Sequence, residues 1–317
     1  MRAIEIQRFG GPDVLEVKEI DAPRPDAGQL LIDNTVADII TLDTLLRAGW
    51  GSEQFGVALP FVPGSGGAGR VRAVGDGVDS AWIGKRVVAR TSRGYAEQML
   101  AEADGVVETP DELDDQQAAA LTHDGPTAVS VFRLGRVQPG QRILITAAAG
   151  GAGSLLVQLA RNAGATVVAA ARGEEKRALA TSLGAHSTVD YSEPGWETRV
   201  GPPVDVAFDG AGGDLGNTAF DTVAAGGRFV TIGTASGTFA DIDPDRARQR
   251  QVEAIYPLRA GRPTREAARA DLVTALSLAT QGDIAPAIGA TFALEQAVEA
   301  HRSLAARATV GKSLLLI

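Results

Sequence analysis

Arg142-Ile-Leu-Ile-Thr-Ala-Ala-Ala-Gly-Gly-Ala-Gly153 decides the fold. An apolar run suited to a buried strand enters a turn made only of small residues, and a helix candidate at Ser154–Ala163 follows at once. Ala148, Gly150 and Gly153 take the three small positions of the pattern G-x-G-x-x-G, with alanine for the first glycine. Small side chains there permit a tight turn, close backbone approach to a pyrophosphate, and close packing of helix on strand. The helix start adds unpaired N–H groups and a partial positive charge. A plain tight turn would need only the glycines; strand, turn and helix together point to a dinucleotide site.

The pattern continues towards the C-terminus. Thr166–Ala171, Ser187–Asp190, Val204–Asp209 and Arg228–Gly233 read as further strands, with helices at Glu174–Leu183 and Leu215–Val223. Such alternation implies parallel strands with crossover helices, a doubly wound α/β sheet. The helix opened by Asp114–Gln117 leads into it. Before it, residues 1–120 read as β-rich, with short runs at Ala3–Ile6, Leu15–Glu19, Gln29–Val36, Arg70–Val74 and Lys85–Ala89. The glycines of Gly64–Gly69 are expected to form tight corners. The last segment has helices at Thr264–Thr280 and Leu294–Ala305 and a strand at Gly311–Ile317, with no further βαβ repeat; it suits a return to the first domain.

The end of the second strand of the dinucleotide unit separates NAD from NADP. NAD sites place an acid about 20 residues beyond the glycines to hold the ribose 2′-OH. Here the strand ends Ala171-Arg172-Gly173, and Lys176 follows a turn later, so a 2′-phosphate and NADPH are expected. Glu174 and Glu175 leave open a plain surface pairing of these cations.

Composition narrows the rest. A net charge of −9 without a basic run argues against nucleic acid and anionic membrane. No apolar stretch reaches the length of a membrane span, and the charged N-terminus does not resemble a signal peptide, so a cytoplasmic protein is expected. With no cysteine, thiolate metal sites and cysteine nucleophiles are excluded, and His123, His186 and His301 lack ligand-like spacing; no metal is expected.

Further stretches carry a resemblance: Arg8–Leu15, Asp43–Gly49, Pro60–Gly64 running on to Gly75, Gly94–Glu97, Ala118–Leu121, Glu174–Lys176, Leu183–Ala185, Val204–Asp209 and Gly226–Arg228. In order and together with the glycine turn, they resemble the zinc-independent quinone oxidoreductase, zeta-crystallin-like branch of the medium-chain dehydrogenase/reductase superfamily. The resemblance implies a Rossmann-type sheet at 122–258 inserted in a GroES-like β-rich domain made of 1–121 and 259–317. It implies a homodimer and NADPH held by Ala148, Ala149, Gly150, Gly151, Ala152 and Gly153 at the pyrophosphate. Lys176, Tyr191 and Arg307 would lie at the 2′-phosphate end, and Thr127, Ile232, Gly233 and Thr234 at the nicotinamide half. Where many relatives have Asn, an acid and a pocket tyrosine, this chain has Ile40, Gly66 and Leu45.

The implied activity is zinc-free hydride transfer to a quinone or conjugated enone, which needs orientation and water exclusion rather than a nucleophile. Asp43, Arg47, Trp50, Tyr95 and His123 are the candidates for the substrate pocket. Asp43 and Arg47, four residues apart, would equally suit an ion pair on a helix surface. Trp50, Tyr95 and His123 also have packing or capping readings. The alternatives are an enoyl-thioester reductase of a biosynthetic pathway and a non-catalytic NADPH-binding protein.

Overall fold

The computed structural model describes residues 1–91, 93–261 and 263–317. The chain divides into two compact units, one made of Met1–Pro126, Thr264–Thr280 and Ile288–Ile317, the other of Thr127–Pro263 and Gln281–Ala287. The long helix α3 (Asp115–Gly135) runs through the point of division, with Pro126 inside it.

The second unit is built on β8 (Arg142–Thr146), β9 (Thr166–Ala171), β10 (Ser187–Asp190), β11 (Val204–Asp209), β12 (Val223–Thr231) and β13 (Glu253–Ile255). These six strands form one sheet in the order β10-β9-β8-β11-β12-β13, every pair parallel. Counted from β8, this is the order 3-2-1-4-5-6 of a Rossmann sheet, whose direction of winding reverses between β8 and β11. Helices α4 (Gly151–Asn162), α5 (Glu174–Ser182), α6 (Gly213–Asp221) and α7 (Pro244–Arg250) connect the strands. A strand covered on both faces must be apolar throughout, and Ile143, Leu144 and Ile145 are each 0% exposed. Beneath them Phe220 and Phe229 meet edge to face, ring centroids 5.6 Å apart. Each fully buried aliphatic or aromatic side chain contributes roughly 1.5–3 kcal/mol.

The first unit contains β1 (Arg2–Ile6), β2 (Leu15–Glu19), β3 (Gln29–Asp38), β4 (Gly66–Val74), β5 (Arg86–Arg90), β6 (Gln98–Glu102) and β7 (Val107–Glu108). Two short helices, α1 (Thr41–Arg47) and α2 (Ser52–Phe55), follow β3. The chain returns through α8 (Arg265–Thr280), β14 (Ile288–Ala293), α9 (Ala297–Ala305) and β15 (Lys312–Leu316). β15 pairs antiparallel with β3, so the C-terminal strand completes the sheet that the N-terminal segment begins. This is the GroES-like β-rich partner of the Rossmann-type sheet.

Gly64–Gly69 corrects an expectation. Gly66–Gly69 is not a corner but the first half of β4, paired with β3 on one side and β5 on the other. Its glycines serve close approach: a Cβ on Gly67 would stand 2.5 Å from the Val36 carbonyl oxygen, and one on Gly69 2.1 Å from that of Asp33. Two register shifts in the β3–β4 ladder crowd the strands there.

Candidate functional site

Parallel sheets bind ligands beyond the carboxyl ends of their strands, where the winding reverses. Here those ends are Thr146 of β8 and Asp209 of β11. After Thr146 the chain turns through Ala147, a non-glycine residue at φ 51° in the left-handed region. The Gly150 amide donates to the Ala147 carbonyl at 2.9 Å and the Ser154 amide to the Gly150 carbonyl at 2.8 Å, closing the turn into α4. A Cβ on Gly153 would lie 2.4 Å from the Ala147 oxygen and 3.0 Å from Ala148 Cα, so only glycine lets α4 begin this close to β8. Ala148 and Ala149 are buried, while Gly150, Gly151, Ala152 and Gly153 remain partly accessible. A cradle of backbone at a helix start, with no side chain to fill it, fits a pyrophosphate.

The floor of this turn is held by two residues that the glycine pattern does not announce. The Thr146 hydroxyl donates to Asp209 Oδ1 at 2.6 Å and accepts the amides of Gly210 and Ala211, each at 3.0 Å. Asp209 also accepts the amides of Ala211 at 3.1 Å and Gly212 at 3.2 Å. Burial lifts its carboxyl above the usual range in spite of those donors. The pair joins the two strand ends across the reversal point.

Arg172 stands exposed directly after β9, and Lys176 lies on the first turn of α5. Between them Gly173, at φ 78°, donates its amide to Asp190 Oδ2 at 2.8 Å. Asp190 also takes the amide of Ser192 at 2.9 Å. Burial opposes its charge, but Ser192, Gly173 and Arg177 outweigh burial and hold the carboxyl below its usual range. Arg177, Asp190, Glu193 and Arg199 line an open depression of about 410 Å³ beside it. Tyr191 packs edge to face on Trp196 at 6.4 Å. Thr127, Ile232, Gly233 and Thr234 are partly buried in the same unit, and Arg307 is exposed at φ 56° just beyond α9 in the other.

The five pocket candidates, all in the first unit, separate into three settings. Asp43, Arg47 and Tyr95 are 1%, 6% and 0% exposed and belong to one enclosed network. Asp43 is the third residue of α1 and accepts the Ile40 amide at 2.9 Å, capping the helix. It also accepts the hydroxyls of Ser65 at 2.8 Å and Tyr95 at 3.1 Å. Arg47 does not pair with Asp43; it donates to the Gly10 carbonyl at 3.1 Å and to His301 Nδ1 at 3.2 Å. An arginine has no acceptor, so that contact leaves the histidine hydrogen on Nε2, which faces the Tyr95 hydroxyl at 3.1 Å. Arg47, His301, Tyr95 and Asp43 thus form a one-way relay of donors.

Burial, and then the charge of Asp38, lift Asp43 to about 6. Burial also lifts the Tyr95 phenol well above its usual range. His301 is pushed down to about 3 by burial and by Arg47. His301 could have been noticed in the sequence as a polar residue on the apolar stripe Ala297–Ala300–Leu304. Trp50, by contrast, is 51% exposed, its ring 6.4 Å from Phe55.

His123 sits in a third setting. Its Nδ1 is 2.8 Å from Asp38 Oδ2, which also faces Lys312 Nζ at 3.5 Å; Lys312 in turn meets Asp124 at 2.9 Å. Burial opposes the charge on Asp38, but His123 and Lys312 outweigh it and hold the carboxyl down at about 2. Among the described residues no group of three or more His, Asp or Glu side chains is arranged to hold a metal ion. No helix is long and apolar enough to cross a membrane among those residues.

The chain matches the alcohol dehydrogenase GroES-like domain family over residues 26–111 and the zinc-binding dehydrogenase family over residues 183–315. A quinone oxidoreductase of Pseudomonas aeruginosa is 33% identical, with 99% of each chain covered. A 2-haloacrylate reductase of a Burkholderia species is 31% identical over 99% of this chain and 98% of the other. Among solved structures, the Escherichia coli quinone oxidoreductase complexed with NADPH superposes with a TM-score of 0.91 at 28% identity, covering 100% of both chains. A mycobacterial protein complexed with NADPH gives a TM-score of 0.91 at 32% identity, again over 100% of both.

Proposed function

The chain belongs to the zinc-independent quinone oxidoreductase branch of the medium-chain dehydrogenase/reductase superfamily, and from that premise we propose that it is an NADPH-dependent reductase of quinones or conjugated enones. The observation that carries the reading is the backbone cradle at Ala147–Gly153, placed at the reversal point of the sheet and closed to any side chain at Gly153. NADPH, when bound, supplies the hydride. The chain's own part is to bind and orient it: Ala148–Gly153 at the pyrophosphate, Arg172, Lys176, Tyr191 and Arg307 at the 2′-phosphate end, and Thr127 with Ile232–Thr234 at the nicotinamide half. The 2′-phosphate asks for cations, and Arg172 and Lys176 lie on either side of a turn whose glycine amide Asp190 already fixes. The protein works in the cytoplasm as a homodimer, joined through an edge of the six-stranded sheet, whose two edge strands are β10 and β13.

The acceptor is tested by following NADPH oxidation with 9,10-phenanthrenequinone, an alkyl enone and crotonyl-CoA. Turnover of the first or second is expected. Turnover of crotonyl-CoA alone would favour an enoyl-thioester reductase. NADPH binding with no turnover of any acceptor would leave a binding protein without the activity.

The cofactor assignment has its own test. Replacing Arg172 and Lys176 together by alanine is expected to raise the Kd for NADPH about 10–100-fold, the loss of one or two charge-assisted contacts. NADH, lacking the 2′-phosphate, should change by less than threefold. Equal weakening of both nucleotides would place the 2′-phosphate elsewhere.

A further inference from the structure

Asp190 brings a carboxylate to the side of the sheet where a coenzyme with a 2′-phosphate is least served by one. The ribose of a dinucleotide lies beyond the second strand of a Rossmann sheet, where an NAD site places an acid to accept the 2′-OH. Here that strand is β9, which ends at Ala171 and is followed by Arg172, with no acid. The acid stands one strand over: Asp190 closes β10, and its Cα is the register partner of Ala171. Neighbouring strands lie about 4.8 Å apart, so its backbone is one strand spacing from the end of β9.

Both oxygens of Asp190 are already engaged within the nucleotide-binding unit. Oδ1 accepts the Ser192 amide at 2.9 Å and also the Ser192 hydroxyl. Oδ2 accepts the Gly173 amide at 2.8 Å and faces Arg177 Nε at 3.9 Å. Arg177 Nε donates in turn to the Gly173 carbonyl at 3.3 Å. Gly173 is thus held at both of its peptide groups, its amide from β10 and its carbonyl from α5. Its torsions are φ 78° and ψ 167°, in a region open essentially only to glycine. A Cβ there would meet no atom within 4 Å, so the glycine serves the shape of the backbone and not the space around it. A conformation of this kind persists only while its surroundings hold it.

We propose that Asp190 is a positioning residue for coenzyme choice: by tying the Gly173 amide to the end of β10, it sets the turn after β9 in the shape that receives a 2′-phosphate. The proposal rests on the NADPH reading. Arg172 enters that turn and Lys176 leaves it on the first turn of α5, so the direction of one cation relative to the other depends on the torsions of Gly173. A carboxylate engaged by two amides, a hydroxyl and a guanidinium is a poor acceptor for a ribose 2′-OH, and those donors offset its charge towards a phosphate. One acid therefore withholds the contact that NAD would use and shapes the turn that NADP needs.

Adenosine 2′,5′-bisphosphate and adenosine 5′-monophosphate differ only in the 2′-phosphate, and titration calorimetry on the full-length protein reads the affinity of each. The wild type is expected to prefer the bisphosphate. In Asp190→Ala the Kd for the bisphosphate should rise about tenfold, the equivalent of one charge-assisted contact, while that for the monophosphate moves by less than about twofold. An Asp190 that acted only through its charge would give the opposite sign, since removing an acid beside a phosphate tightens binding. Gly173→Ala is the second arm should Asp190→Ala not fold. It leaves Asp190 and both cations in place, disturbs only the torsions, and should lose the same preference. A bisphosphate preference unchanged in either variant overturns the proposal, as does tighter bisphosphate binding in Asp190→Ala or equal weakening of both nucleotides. A wild type that binds the two nucleotides alike overturns the 2′-phosphate reading instead, whatever the variants do.

Discussion

Replacing Asp209 by alanine is expected to destabilise the nucleotide-binding unit by about 3–5 kcal/mol and to weaken dinucleotide binding at least tenfold. Asp209 is 0% exposed and Thr146 1% exposed, so water cannot take over what the carboxylate does. Its removal strands the Gly212 amide, half-strands that of Ala211 and leaves the Thr146 hydroxyl without its acceptor. Each buried donor left unmade costs about 1–3 kcal/mol. It also opens a hole beneath Gly216, whose built Cβ would lie 2.3 Å from Asp209 Oδ2. The binding loss has a separate cause. Thr146 directly precedes Ala147, whose left-handed backbone starts the turn proposed to hold the pyrophosphate, and residues held in that region persist only while their surroundings over-determine them.

Asp209→Asn separates the two contributions. The amide oxygen can keep the Oδ1 contacts to Thr146, Ala211 and Gly212, whereas its NH₂ meets the Gly212 amide where Oδ2 accepts at 3.2 Å. The loss should then be about 1–2 kcal/mol. Denaturant midpoints give the stabilities and nucleotide fluorescence gives the affinity. An Asp209→Ala protein with an unshifted midpoint would show that the strand ends are held by something other than this pair.

The contrast between what the sequence disclosed and what it hid follows the range of the interactions. Thr166–Ala171, Ser187–Asp190 and Val204–Asp209 are strands with the expected limits, because a strand buried on both faces writes itself as a continuous apolar run. The glycine turn was legible for a similar reason: its strand, turn and helix are adjacent in the chain. Helix α1 was legible only as the surface on which Asp43 and Arg47 would pair, and its limits were not. Seven residues give under two turns of periodicity, and the capping acid looks like any surface acid. The Gly66–Gly69 run was read as a corner because glycine density marks both turns and close strand contacts, and only the partner strand tells them apart.

The buried polar groups were the hardest to foresee. Arg47 and His301 are 254 residues apart in sequence, Tyr95 and His301 206. A composition or spacing argument offers no means of pairing them. Yet each left a local trace: Asp38 is an acid inside Val36–Ile40, and His301 and Lys312 interrupt apolar faces of α9 and β15. A charged or titratable residue in such a place has to find a partner when it is buried. The sequence identifies the residue that needs one and is silent on which it finds.

His301→Gln is expected to make the protein less sensitive to acid than the wild type, by about 2 kcal/mol between pH 7.5 and pH 5. An unfolded histidine takes up its proton near 6.5, but folded His301 does so only at about 3. Over the interval between, the unfolded state binds more protons, so the stability of the wild type declines as pH falls through it. Glutamine keeps one acceptor for Arg47 and one donor for Tyr95 and has no proton to gain. Asp43 works in the opposite direction. Its folded carboxyl, lifted to about 6, protonates before the unfolded one, which has a value of 3.8, so the folded state gains stability as pH falls from 6 towards 4. The two residues of one relay therefore offset each other in the wild type, and a pH profile of the wild type alone would look nearly flat over that range. The difference between wild type and variant isolates the histidine, while His301→Gln on its own should become more stable as the pH falls from 6 towards 4. Denaturant unfolding at pH 7.5, 6 and 5 measures both. Parallel curves for the two proteins would mean that folded His301 takes up its proton as readily as the unfolded residue does, and the direction assigned to the Arg47–His301–Tyr95–Asp43 relay would be wrong.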